Sequence, residues 1–374
     1  MAHAYTPGLR VTEKTHIVKV RRLPLKGQVV AKKGDMVKAE TVVARTELPG
    51  NVQPIKAASM LGVHQQDLPD FMLKKEGGRV AKDEIIATSK SFFGLFKSNL
   101  KSPCEGTIES ISTITGQVII REPPIPVEVE AYIDGVVTEV IPGEGVVVEA
   151  EGAFIQGIFG VGGETTGLLE LAVTDPSIDL TPALLKPEFK GKVVVGGASV
   201  GLDGINRARE LGIRALVVGG IDDQVLKGLL GYDLGVAITG HEHLGITVVT
   251  TEGFGRMSIA NRTFALLEKF RGCRVSVNGA TQIRAGVMRP EIVIPQGVPK
   301  GASGQAQAEN LGMKIGSPVR VIRMPHFGRL GEVLDLPPEL MVVASEAKVR
   351  VLRVKFGDGS VETLPRANVE MIES

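Results

Sequence analysis

The segment GDMVKAETVVART, beginning at Gly34, returns as GGRVAKDEIIATS at Gly77. Both read Gly-x-x-Val, a polar step, an acidic residue, then a β-branched pair and Ala. A second pair follows, GTIESISTITGQVII from Gly106 and GVVTEVIPGEGVVV from Gly135. Each is a strand, a glycine-bearing turn and a strand with period-2 alternation. Four such hairpin-like units in the first part of the chain predict a compact, intertwined β sandwich or barrel rather than an open sheet.

The run GDMVKAETVVA resembles the Gly-Asp-x-Val segment of biotinyl and lipoyl carrier domains. It is more similar still to the barrel-sandwich hybrid found in Rnf-type electron-transport complexes, where a Pro-Leu-Lys run leads in as Pro24-Leu25-Lys26 does here. The likeness spans residues 20–150 and implies that fold. Carrier domains attach their cofactor to a Lys in a Met-Lys-Met or Asp-Lys-Ala hairpin, and neither tripeptide occurs in this chain. Only Cys104 and Cys273 are present, too few for the iron–sulfur clusters of the Rnf-type proteins. The resemblance therefore implies a fold and no cofactor.

Two stretches in this half invite other readings. Phe92, Phe93 and Phe96 lie close together among lysines. They suit a loop closing the open end of a sandwich, or a docking loop for a partner or membrane surface. FIQGIFGVGGETTGLLEL, residues 154–171, lacks both the P-loop Lys-Ser/Thr and the GxGxxG spacing, so tight turns are expected there.

Beyond the prolines at 176, 182 and 187 the pattern changes. GKVVVGG is a short buried strand, GLDGINRARELG a helix stopped by Gly212, IRALVVGG a strand and DDQVLKGLLG a short helix begun by Asp222 or Asp223. LGVAITG, GITVVTT and CRVSVNG read as strands, and a helix is predicted from Ser258 to Phe270. Strands alternating with helices give a mainly parallel α/β domain over 190–296. The strand–helix–strand GGASVGLDGINRARELGIRALVVGG loosely resembles the swivelling domains of phosphoenolpyruvate-utilising and aconitase-like enzymes. No His lies between His64 and His241 to carry a phosphoryl group, so that activity is not implied.

GSPVRVIRMPHFGRLGEVLDLP and the closing LPRANVEMIE resemble the KOW motif and its SH3-like barrel, as in NusG-type transcription factors and some ribosomal proteins. Gly316, Val319, Val321, Pro325, Gly328, Gly331 and Val333 carry the match. A Gly/Ala/Ser/Gln-rich connector precedes it, so an independent unit on a flexible tether is expected. Residues 317–374 hold equal numbers of basic and acidic residues, so RNA binding, which the motif invites, is expected to be weak.

The fold class read from the sequence is thus multidomain, α/β plus all-β. A barrel-sandwich β module occupies 1–172, a central, mainly parallel α/β domain 190–296, and an SH3-like barrel 317–374. Lys plus Arg is 43 against 42 for Asp plus Glu, which gives no global attraction to nucleic acid or anionic membrane. Two distant thiols and an N-terminus without an apolar h-region point to the cytoplasm. No run approaches the roughly 18 apolar residues of a membrane span, so no insertion is expected.

In open α/β sheets ligands sit at the carboxyl ends of strands. The loops meeting there place Ser199, Asp222, His241, His243, Glu252, Asn278, Gln282 and Arg284 as candidate ligand-binding residues, with Asp223 and Thr281 beside them. Their chemistry suits a small anionic ligand, with Arg284 or Arg289 as charge partner. His241 and His243 project together if the segment is extended, but two imidazoles and one carboxylate do not complete a zinc site, so no metal is expected. Ser199 lies in no nucleophile elbow, and no catalytic residue is assigned. Three functions stay open. The first is a non-catalytic adaptor or assembly component that binds protein partners or itself through its β modules. The second is an enzyme or small-molecule sensor with a pocket at the α/β loops. The third is an RNA- or ribosome-associated factor acting through the KOW-like end.

Overall fold

A computed structural model describes residues 9–91, 96–231, 244–281, 289–298, 313–321, 326, 329–337, 340–342 and 348–373. Among these, 48% lie in strands and 15% in helices, arranged as several sheets with a half-barrel. No described helix is long and apolar enough to cross a membrane.

The N-terminal repeat folds as two nested copies of one unit. The outer copy begins with β1 (Leu9–Arg22), β2 (Gln28–Val29), β3 (Met36–Val37) and β4 (Val42–Leu48). The inner copy follows with β5 (Val52–Ile55), α1 (Ala57–Leu61), α2 (Leu68–Phe71), β6 (Arg79–Val80), β7 (Ile85–Ser91), β8 (Phe96–Lys101), β9 (Gly106–Ile111) and β10 (Val118–Arg121). The chain then returns to the outer copy through β11 (Ile125–Glu130), β12 (Gly135–Ile141) and β13 (Gly145–Gln156). β4 and β11 pair from Leu48 opposite Ile125, so the inner copy sits at the tip of an outer hairpin.

The two copies share register. Val37 lies opposite Gly135 and Met36 opposite Val136, while Val80 lies opposite Gly106 and Arg79 opposite Thr107. The following turn is closed in the same way twice. Lys38 N donates to Thr41 Oγ1 at 3.0 Å, and Ala81 N donates to Glu84 Oε2 at 2.9 Å. The repeated glycine has a steric cause: a Cβ on Gly106 would stand 2.2 Å from Arg121 O, and one on Gly135 2.4 Å from Glu149 O. Each copy keeps its own core, one around Ile86, Leu100, Ile108 and Ile120 and the other around Val43, Ile133, Val137 and Val148. The second copy is inserted within the first, between β4 and β11. Phe92, Phe93 and the Phe96 side chain lie outside the described residues.

Downstream come β14 (Phe159–Val161), β15 (Glu164–Leu171), β16 (Val193–Val195), α3 (Leu202–Glu210), β17 (Ala215–Ile221), α4 (Asp223–Leu230), β18 (Thr247–Phe254), α5 (Asn261–Lys269), β19 (Arg274–Asn278) and β20 (Glu291–Gly297). β15, β16, β17 and β18 pair in parallel in that order. The middle strands are apolar without alternation because both faces are covered. Val194, Leu216, Val218 and Val248 meet Ile205 of α3 and Leu226 of α4, whereas Val193, Val195, Val217 and Val249 share a core with Phe264 and Leu267 of α5. Antiparallel strands extend this sheet, from β15 to β19, β20 and β13, while β14 returns to β18. The sheet thus curls around α5. β1 and β13 run on from the outer copy, with Leu9, Val11, Ala153 and Ile155 entering this second core. The segment LGVAITG lies outside the described residues.

The C-terminal unit consists of β21 (Pro318–Val321), β22 (Leu330–Asp335), β23 (Leu340–Val342), β24 (Lys348–Phe356), β25 (Val361–Pro365) and β26 (Val369–Glu373). Its ladder runs β25, β24, β22, β21, β26, over a core that includes Val319, Val321, Val354 and Phe356. β26 also pairs in parallel with β1 at Leu9 and Arg10.

Overpacking a tight site costs about 1–3 kcal/mol. Gly106→Ala is expected to lower hydrogen-exchange protection in β9 and β10 while β12 and β13 keep theirs. Gly135→Ala should reverse the pattern, and equal loss in both copies for either variant would contradict two separate cores.

Candidate functional site

The carboxyl ends of β16, β17 and β18 meet as glycine-rich loops stacked backbone against backbone. Gly219 N donates to Gly197 O at 2.7 Å and Gly220 N to Ala198 O at 2.9 Å. A Cβ on Gly219 would stand 1.8 Å from Met257 O, and one on Gly220 2.1 Å from Gly255 O. Only glycine permits this approach, and it fills the space between the loops with main chain.

The candidate side chains in these loops make internal bonds. Ser199 Oγ donates to Asp179 Oδ1 at 2.8 Å, and Arg256 Nε donates to Asp179 Oδ2 at 2.9 Å. Burial pushes the Asp179 pKa up, but the bonds from Arg256 and Ser199 outweigh it and hold the carboxyl below the usual aspartate range. The pairing therefore stabilises above the ordinary aspartate pKa of about 3.9, and its contribution is lost as pH falls through the lower folded value. Asp222 is the N-cap of α4 and accepts from Gln224 N at 2.9 Å. Asp223 stands in the first turn of that helix. Asn278 Oδ1 accepts from Ala280 N at 2.8 Å, closing its own turn. Thr281 Oγ1 accepts from Gly160 N at 2.8 Å and is buried. His241, His243, Gln282 and Arg284 lie outside the described residues. Among the described residues no three His, Cys, Asp or Glu side chains are grouped to hold a metal.

Glu252, near the end of β18, has a different environment. Its side chain is only 6% exposed. Oε1 accepts from Ala260 N at 3.0 Å, and Oε2 accepts from Arg320 Nη1 of the C-terminal unit at 3.2 Å. The same Nη1 donates to Thr251 O at 3.3 Å and to Glu252 O at 3.1 Å. Arg320 faces Glu370 across β21 and β26, and its Nε donates to Glu370 Oε1 at 2.9 Å while Nη2 reaches the same oxygen. Arg289, just before β20, donates to Glu370 Oε2 at 2.9 Å.

Four charges are thus crossed between two parts of the chain. The central α/β region, hereafter the body, supplies Glu252 and Arg289, and the C-terminal unit supplies Arg320 and Glu370. Strand alternation explains the presentation. Val319 and Val321 point into the C-terminal core, so Arg320 between them points out, toward the body. Buried carboxylates and guanidinium groups require such pairing, because an isolated charge out of water is very costly. The sequence predicts a mobile tethered unit; the structure seats that unit on the body through these buried charges and the β1–β26 pair.

Sequence reasoning placed Glu252 and Arg289 at this end of the sheet but missed Arg320 and Glu370. Apolar neighbours on both sides of Arg320 showed that it faced away from its own core, and carried no sign of what it met. Compared with known proteins, the chain matches no family model, no curated protein and no solved structure.

Removing one partner of a buried pair costs about 3–5 kcal/mol, whereas losing a helix N-cap costs about 1 kcal/mol. Glu252→Gln is therefore expected to destabilise the chain more than Asp222→Ala in denaturant titrations followed by circular dichroism. A Glu252→Gln cost under about 0.5 kcal/mol, the range of neutral surface changes, would contradict the burial assigned to this group.

Proposed function

We propose that this chain is a non-catalytic adaptor or assembly component, with its β units as the binding surfaces. The observation that carries this reading is the engagement in the fold of the candidate polar side chains among the described residues. Ser199 is bound to Asp179, Asp222 caps α4, Asn278 closes a turn and Glu252 pairs with Arg320. Each therefore has a structural task that accounts for its presence at the carboxyl end of the sheet.

We read the N-terminal units as the barrel-sandwich hybrid that the Gly-x-x-Val repeats suggest, and the C-terminal unit as a KOW/SH3-like barrel. Both kinds of module serve as binding platforms on many scaffolds, which favours an adaptor without naming its partner. The inner copy is the favoured partner-binding element. It stands at the tip of a hairpin, joined through Pro49–Gly50 and Glu122–Pro124, and has a core of its own. Exposed Met60, Leu73 and Ile114 lie on that copy.

The test compares the full chain with a variant in which residues 51–122 are replaced by a short turn. The adaptor reading expects a defined protein, recovered in stoichiometric amount with the full chain from its native source, to be lost with the variant. Turnover of a substrate that disappears in Ser199→Ala or Asp222→Asn would overturn the reading in favour of an enzyme.

A further inference from the structure

The Arg320 guanidinium lies in a mould whose body-side half is complete without it. On the body, Glu252 Oε2, Thr251 O and Glu252 O converge on one nitrogen, Nη1. Glu252 is held in place independently of Arg320, because its other oxygen accepts from Ala260 N at the start of α5. A carboxylate fixed from behind and flanked by two carbonyl oxygens is an acceptor-only surface. It matches a planar group that is donor-only and always charged. The position is the carboxyl end of a parallel strand, where open α/β sheets bind ligands.

The C-terminal unit that fills this position has a core separate from that of the body. The ties described between them are ionic or short. They are the four crossed charges, the bonds from Arg320 to the Thr251 and Glu252 carbonyls, and the parallel pairing of Leu9 and Arg10 with Ile372 and Glu373. Separation would return these charges to water, which favours reversible docking. On leaving, the unit withdraws Arg320 and Glu370 together, since they pair with each other across β21 and β26. The body then keeps Glu252 and its two carbonyls, with Arg289 beside them freed from Glu370.

We infer that the carboxyl end of β18 is a guanidinium-binding socket, for which Arg320 is the resident internal ligand. An external guanidinium group takes the socket when the C-terminal unit undocks. Arg289 receives an acidic group next to it, as it receives Glu370 in the closed state. The inference concerns a different site from the adaptor surfaces, so its failure leaves that reading standing, and the reverse also holds.

The experiment is chemical rescue in the full chain. Arg320→Ala empties the socket, and methylguanidinium chloride is added, with sodium chloride at equal concentration as control. A ligand bound only to the folded state raises the melting temperature as its concentration passes its Kd. Methylguanidinium is expected to raise the melting temperature of Arg320→Ala, and to have no such effect on the double variant Arg320→Ala/Glu252→Gln. The peptide Pro-Val-Arg-Val, the sequence of residues 318–321, is tested beside it. A larger rise with the peptide identifies an arginine of a protein strand as the natural source, and a rise with the small ion alone identifies a small guanidinium compound. No rise with either, or an equal rise in both variants, overturns the inference.

A second measurement covers failure of Arg320→Ala to fold. In the wild type, methylguanidinium competes with Arg320. It should therefore speed amide exchange at Ile372 and Glu373, where β26 pairs with β1, relative to sodium chloride, with β10 unchanged. Unchanged exchange at Ile372 and Glu373 would overturn the inference on its own.

Discussion

Two crossed ion pairs, Arg320 with Glu252 and Glu370 with Arg289, hold the C-terminal unit on the body, and much of the molecule is arranged around them. The side chains of Arg320, Glu252 and Glu370 are each 6% exposed or less. At such burial each charge needs its partner, because water cannot replace it. The pairs therefore fix the register of one unit on the other more than they add net stability. An apolar contact of similar size would hold as well.

The rest of the body can be understood as support for that contact. β18 brings Glu252 to the carboxyl end of the sheet between apolar strands, and the Ala260 amide at the start of α5 holds its second oxygen. β1 reaches from the core of the outer N-terminal copy through the body core to pair with β26, so one strand joins two cores and meets the third unit. A second junction lies at Tyr132, which takes a φ of 70° rare for a bulky residue. Ser276 Oγ donates to its carbonyl at 2.5 Å, and Lys19 and Arg21 approach its ring within 5.8 and 5.3 Å. The Tyr132 carbonyl thus ties the outer copy to β19, as the crossed charges tie the C-terminal unit to β18.

Much of the local structure was legible from residues alone. Asp222 marked the start of α4, Gly212 marked the turn after α3 with a φ of 70°, and the uninterrupted valines marked strands covered on both faces. The Gly-x-x-Val repeats foretold matching turns. Their nesting was not legible, because turn chemistry fixes a hairpin and leaves open which strand it later meets. The helix expected from Ser258 begins at Asn261, since Ile259 is buried and the Ala260 amide is taken by Glu252. At the candidate site, the sequence marked the right end of the sheet and missed what fills it. Arg320 reaches Glu252 across 68 residues, and an alternating Pro-Val-Arg-Val reads the same whether its arginine meets water or a buried carboxylate.

The central claim, that the crossed charges seat the C-terminal unit on the body in one orientation, is tested most directly by residual dipolar couplings of the deuterated full chain. Amides of β24 and β25 report the orientation of the C-terminal unit, and amides of β16 and β17 that of the body. Both sets are expected to fit a single alignment tensor, with the two units in the orientation that the Arg320–Glu252 and Glu370–Arg289 pairs impose. Two tensors of different magnitude or direction, each fitting only its own set, would contradict it.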